Sequence, residues 1–234
     1  MTAGDDTAAL GAAGVVFSSL KGEAGAALLA RGARKRFPAG ASIYHRGDAG
    51  GSMLIIERGV AEISVTSMAG RKSVLAHAAA GEILGEIALL DGGARSADVM
   101  ALTEVEGVSL TRSVVMTFLT EHPEAMAAMI AQLAARARNA SEMFETAAMT
   151  DAGARLAVAL LRLAGRWGDD RPAPGGRPLT QGELGEYAGL SRENVNRRLR
   201  AWSRLGVVSL TDGHVSILDP ESLRDIAECG DAGS

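Results

Sequence analysis

One cysteine, Cys229, occurs in the 234 residues. No disulfide can therefore form within the chain, and a four-thiolate zinc or iron–sulfur site is excluded. So thiol-poor a sequence suits a reducing cytoplasm. Aromatic residues make up only 3%, which leaves Ala, Leu, Ile, Val and Met to fill the cores. The four histidines (His45, His77, His122 and His214) lie far apart and no HExxH pair occurs, so nothing points to a metal. Walker loop and nucleophile elbow are both missing, which argues against an enzyme. There is no excess of positive charge either: the net charge is -4, so a nucleic-acid site has to be a local patch. Long apolar runs are absent. The uncharged stretch from Thr7 to Leu20 is too short to span a bilayer. It follows Asp5 and Asp6, where a signal peptide needs positive charge. A cytoplasmic protein with no membrane partner is expected.

What is present changes texture along the chain. Residues 1–14 are small and polar and are expected to fray. Val15 to Ala30 carries Val16, Leu20, Ala24 and Leu28 at helical spacing. From Arg34 to about Thr111, glycines punctuate short β-rich runs (Met53 to Ile56, Val60 to Val65, Ser73 to Ala76), the pattern of an antiparallel sandwich or barrel. Val60, Glu62 and Ser64 alternate with Ala61, Ile63 and Val65, which predicts one buried face. Residues 123–149 then read as one helix opened by Pro123. Met126, Ile130, Leu133, Ala137, Ala140, Phe144 and Ala147 form a heptad seam on it. Such a stripe serves either packing on its own domain or a second copy. Its length exceeds what the β region can cover, so a homodimer is expected. Asp151 is placed to cap a following helix, and residues 168–178 are loop by composition.

The C-terminal region has the layout of a helix-turn-helix. Thr180 opens one short helix, Gly189 suits the tight turn, and Ser191 caps a second helix to Arg204. Leu184, Ala188, Leu190, Val195, Leu199 and Trp202 are spaced to share one core, and Gly185 permits close approach. The other face of the second helix carries Arg192, Glu193, Asn196, Arg197 and Arg200. Arginine can grip guanine O6 and N7, and glutamate can accept from cytosine N4. The remaining cations can neutralise phosphates, and Thr180 can donate to one. A hairpin turning at Asp212-Gly213 follows, which makes the module winged.

The segment Gly81 to Ala97 holds a second kind of chemistry. Gly85 permits close backbone approach, and Glu86 to Leu90 can form a short helix whose first N–H groups face an anion. Arg95 brings one fixed positive charge and Ser96 a hydroxyl. That set suits a single phosphodiester, with Glu86 turned to sugar hydroxyls. The same residues also fit an ordinary β-turn in which Glu86 and Arg95 form a structural ion pair.

The two motifs in this order resemble the Crp/Fnr superfamily of bacterial transcription regulators, over about residues 15–225. The resemblance implies an α+β fold. An N-terminal, jelly-roll-like β-roll would bind a cyclic nucleotide (1–122), a long helix would dimerise (123–149), and a winged helix-turn-helix would bind DNA (150–234). It further implies that Gly85 and Glu86 hold ribose. Ile87 and Ala88 would offer N–H groups to the phosphate, and Arg95 and Ser96 would bind its oxygens. Arg192, Glu193 and Arg197 match the family's readers of a TGTGA-type half-site. The family's Thr-Ser pair toward the base falls at Ala140 and Ser141, next to Asn139. Ala140 lacks a hydroxyl, which leaves guanine open beside adenine. Arg198 departs from a position often apolar in the family. The implied partners are double-stranded DNA, cyclic AMP or cyclic GMP as allosteric ligand, a second copy and RNA polymerase, with no cofactor. The rival within this class is a constitutive DNA binder with a vestigial pocket.

Overall fold

The computed structural model describes residues 23–149, 151–167, 180–211 and 214–230. The end expected to fray, residues 15–22 of the first expected helix, Thr150, the loop over 168–178 and the Asp212-Gly213 turn lie outside them. Contacts divide the chain into two units. One runs to Ala69 and from Val74 to Asn139; the other holds Gly70–Ser73 and everything from Ala140 onward. The expected borders bracket the long helix, whereas this division passes through it. The reason is that only the first half of that helix packs on the β-rich core.

The first unit begins with α1 (Glu23–Ala30), β1 (Ala33–Phe37), β2 (Ser42–Tyr44), β3 (Ser52–Arg58), β4 (Val60–Thr66), β5 (Lys72–Ala79) and β6 (Ile83–Leu84). There follow α2 (Glu86–Asp91), β7 (Asp98–Ala101), β8 (Val105–Thr111), α3 (Arg112–Glu121) and α4 (Pro123–Ala148). The strands form two four-stranded sheets, ordered β1-β8-β3-β6 and β2-β7-β4-β5. Strand β3 shows why its sequence is apolar without a break. Leu54 and Ile56 enter the core between the sheets. Met53 and Ile55 enter a second core shared with α1, α3 and α4. Alternate side chains of a strand point to opposite faces, so both faces of β3 are covered. Strand β4 departs from the simple alternation. Ala61 and Ile63 join the inter-sheet core as expected, yet Glu62 and Ser64 on the opposite face are also buried.

Helix α4 has two faces. Ala125, Ala128 and Met129 pack into the core with α1 and α3. The heptad seam lies largely elsewhere: Ile130 and Phe144 are 60% and 76% exposed, and Met126 is also exposed. Within one chain, Leu133 of the seam packs against that core, but the exposed seam residues Met126, Ile130 and Phe144 do not lie on the face that packs on the β-roll.

The second unit contains α5 (Ala152–Trp167), α6 (Gln181–Ala188), α7 (Arg192–Arg204), β9 (Val208–Thr211), β10 (His214–Ile217) and α8 (Pro220–Cys229). Asp151 caps α5 by accepting the Ala154 N–H at 2.7 Å. The core expected for the helix-turn-helix forms, with Leu184, Ala188, Val195, Leu199 and Trp202 buried and Leu190 against them. The hairpin pairs Thr211 with His214 and Val208 with Ile217. Helix α8 extends the module beyond the expected hairpin. Asp219 accepts from the backbone N–H groups of Glu221 and Ser222, and Pro220 starts the helix. Among the described residues no helix is long and apolar enough to cross a membrane.

Candidate functional site

The segment between β6 and β7 lines an open cleft, with Tyr44, Ile63 and Arg136 completing its wall. Gly85 is the pivot. It precedes α2 with φ 82°, in the left-handed region that glycine enters without a Cβ penalty. A Cβ there would also collide with the Arg95 guanidinium and press on the Tyr44 ring. From this pivot, Glu86 turns inward and is fully buried, while Ile87 is exposed at the first turn. All six residues expected here (Gly85, Glu86, Ile87, Ala88, Arg95 and Ser96) line the cleft.

Glu86 and Arg95 do not pair with each other, so the ion-pair alternative falls. Arg95 donates from Nη1 to the Gly85 carbonyl at 2.9 Å and from Nη2 to Ser52 Oγ at 3.3 Å. Glu86 Oε1 instead accepts from Arg136 Nη1 on α4 at 2.6 Å. Arg136 Nη2 donates to the Ile83 carbonyl at 2.7 Å. Burial pushes the Glu86 carboxyl above its ordinary range, and the positive charges of Arg136 and Arg95 offset only part of that. Two polar atoms remain. Glu86 Oε2 and Arg95 Nε are buried and have no hydrogen-bond partner among the described residues. Buried polar atoms are nearly always paired, and each orphan costs about 1–3 kcal/mol. The cleft is thus lined by two residues that each carry an unpartnered buried atom, one an acceptor and one a cationic donor.

Arg136 was not among the expected residues. Its partner is 50 positions away in sequence, and the Ala-rich helix around it gives no local sign of which side packs. Asn139 and Ser141, expected near the base, are exposed on α4. Asn139 does not line the cleft, and Ser141 belongs to the other unit.

In the second unit, Thr180 and Glu183 form a reciprocal cap. The Glu183 N–H donates to the Thr180 hydroxyl, and the Thr180 N–H donates to the Glu183 carboxylate. That leaves the Thr180 hydroxyl proton to donate outward, while its backbone N–H is occupied. Gly189 closes α6 in the left-handed region. A Cβ on Gly185 would meet the Leu190 carbonyl, which is why the turn packs so tightly. Ser191 caps α7 by accepting the Asn194 N–H. Arg192, Glu193, Arg197 and Arg200 are exposed along one side of α7, with Asn196 half-buried beside them. Arg197 donates to Asn194 Oδ1 at 2.9 Å. Arg198 is buried on the core side, so it adds nothing to the exposed basic face.

The chain matches two protein families: the cyclic nucleotide-binding domain over residues 34–122 and the Crp-like helix-turn-helix domain over residues 154–226. It is 31% identical to the CRP-like cAMP-activated global transcriptional regulator of Mycobacterium tuberculosis, over 89% of this chain and 94% of that protein. To the cyclic AMP receptor protein of Thermus thermophilus it is 33% identical, over 83% and 88% of the two chains. Among solved structures, the Thermus thermophilus catabolite activator protein matches with a TM-score of 0.53 and 30% identity, over 92% of this chain and 99% of that one. A c-di-GMP responsive regulator from Xanthomonas campestris shares the fold at 20% identity and a TM-score of 0.71, over 83% and 97% of the chains.

Proposed function

This chain belongs to the Crp/Fnr family of transcription regulators, and from that premise we propose that it binds DNA as a homodimer under control of a cyclic mononucleotide. The family consists of transcription regulators, not enzymes. Cyclic AMP is the first candidate, the ligand named for its relatives, and cyclic GMP the second. One observation carries the reading: Glu86 Oε2 and Arg95 Nε are unpartnered, and both residues line one cleft. The ligand that satisfies both has a hydroxyl to donate and an anionic oxygen to accept. A ribose 2′-hydroxyl beside a cyclic phosphate has that pair. Ile87 and Ala88 lie at the start of α2, where backbone N–H groups lack partners inside the helix. Ser96 adds a hydroxyl at the cleft.

Coupling to the long helix runs through Arg136, which already grips Glu86. A ligand hydroxyl donating to Oε2 draws on the electron density of the carboxylate that Arg136 grips, and Arg136 sits on the helix that carries the exposed seam. The nucleotide acts only through its different affinity for two arrangements of the dimer. In the DNA-binding state, two copies of α7 meet half-sites about 34–36 Å apart. Arg192, Glu193 and Arg197 read base edges, while Thr180, Ser191, Asn196 and Arg200 serve phosphates and orientation. The protein works in the cytoplasm, with RNA polymerase as a further partner.

Calorimetry with cyclic AMP and cyclic GMP tests the pocket. The wild type binds at least one of them. Arg95→Ala removes a hydrogen bond to a charged group, worth about 1.5–3 kcal/mol, and weakens binding roughly 10- to 100-fold. Equal affinity in Arg95→Ala would overturn the site.

A further inference from the structure

The guanidinium of Arg95 is useful only if its orientation is fixed and its charge stays available. Two of its contacts are to neutral oxygens, the Gly85 carbonyl and the Ser52 hydroxyl. The third is to a ring: the guanidinium carbon lies 3.7 Å from the centroid of Tyr44. Among the described residues no carboxylate pairs with Arg95. A carboxylate would hold the cation as firmly but would neutralise it and compete with an incoming anion. An aromatic face attracts the cation through its quadrupole and leaves the full charge in place, the more strongly where water is excluded. We propose that Tyr44 is the positioning residue for anion recognition: its ring holds Arg95 in the pose that keeps Nε for a phosphate oxygen.

The surrounding chain supports that role. Tyr44 ends β2 and is paired with Val99 of β7 after a shift of register from Ser42, so its backbone is held by the sheet. The loop that follows clasps Arg95 from its own main chain. The Arg95 N–H donates to the Asp48 carbonyl at 2.8 Å, and the Gly47 N–H donates to the Arg95 carbonyl at 2.9 Å. The residue that orients the guanidinium and the loop that holds its backbone are therefore contiguous in sequence. Gly85 completes the arrangement, since a Cβ there would collide with the cation and press on the ring. Burial raises the Tyr44 phenol above its ordinary range, so the ring is uncharged across the physiological range.

This assignment rests on the reading that Arg95 holds the phosphate of a cyclic nucleotide, and the test separates the two. Titrations of whichever of cyclic AMP and cyclic GMP the wild type binds are run on the full chain. They cover the wild type, Arg95→Ala, Tyr44→Phe, Tyr44→Leu and Tyr44→Leu combined with Arg95→Ala. Tyr44→Phe keeps the ring and binds within about twofold of wild type. Tyr44→Leu loses the ring and binds roughly tenfold more weakly. On the Arg95→Ala background, Tyr44→Leu costs nothing further, because the ring acts through the guanidinium. Should Tyr44→Leu fail to fold, Tyr44→Met, which keeps an apolar side chain of similar length, takes its place with the same expectation. Wild-type binding lost in Arg95→Ala but unchanged in Tyr44→Leu would overturn this assignment alone. So would a full loss in Tyr44→Phe, which would mean the hydroxyl is what matters. So would an equal tenfold loss on the Arg95→Ala background, which would make the ring a direct ligand contact. No binding by the wild type would overturn the functional reading and this assignment with it.

Discussion

Glu86 is a carboxylate buried completely, one of its oxygens held by Arg136 and the other by nothing among the described residues. Its folded-state pKa lies above the ordinary value because burial disfavours the charged form. For a carboxyl shifted upward, the stability it contributes is present in full below the unfolded-state pKa and is lost as pH rises through the folded one. The non-titrating variant Glu86→Gln gives the reference. As pH is lowered from 7 toward the ordinary carboxylate range, the ligand-free wild type should gain melting temperature relative to Glu86→Gln. A constant difference across that window would mean that burial does not govern this group. Glu86 and Arg95 were legible in the sequence because they lie nine residues apart within one local motif. Arg136 was not, because its role depends on the docking of α4 beside β6, and a single arginine in an Ala-rich helix carries no sign of that. Asn139 and Ser141 were named by resemblance alone, and their side chains are exposed.

At the scale of elements, the helix-turn-helix was legible almost throughout. Caps, turn glycine and core spacing are local chemistry, and the Thr180–Glu183 capping box and the Ser191 cap are where side-chain preference puts them. The exception is Arg198: composition counts it with the basic face, but helical register places it toward the core. Helix α8 was missed although Asp219-Pro220 is a helix-start signal, because the preceding hairpin read as the end of the module. Helix α4 was legible as a helix but ambiguous in its use, and the structure separates its two apolar faces. The buried one is Ala125, Ala128 and Met129; the exposed one includes Ile130 and Phe144. Burying a large apolar side chain is worth about 1.5–3 kcal/mol, and in a homodimer a change is felt twice. Ile130→Asp should therefore leave the folded chain intact by circular dichroism and convert a dimer to a monomer at micromolar concentration by light scattering. A dimer of unaltered strength would show that this face is not the interface.

At the scale of the whole molecule, a net negative protein has to reach DNA through a restricted basic surface, and one exposed side of α7 carries Arg192, Arg197 and Arg200. Two copies of that surface, presented together, gain affinity from simultaneous engagement when their spacing matches the site. A cyclic mononucleotide seated between Glu86 and Arg95 is expected to set that spacing. The direct measurement is the affinity of the full chain for its selected palindromic DNA at fixed salt, without nucleotide and with saturating cyclic AMP or cyclic GMP, in wild type and in Arg95→Ala. One of the two nucleotides should tighten wild-type binding at least fivefold, a coupling of about 1 kcal/mol or more, and leave Arg95→Ala unchanged. Wild-type affinity that is the same with and without either nucleotide would contradict it and identify a regulator that binds DNA without a ligand.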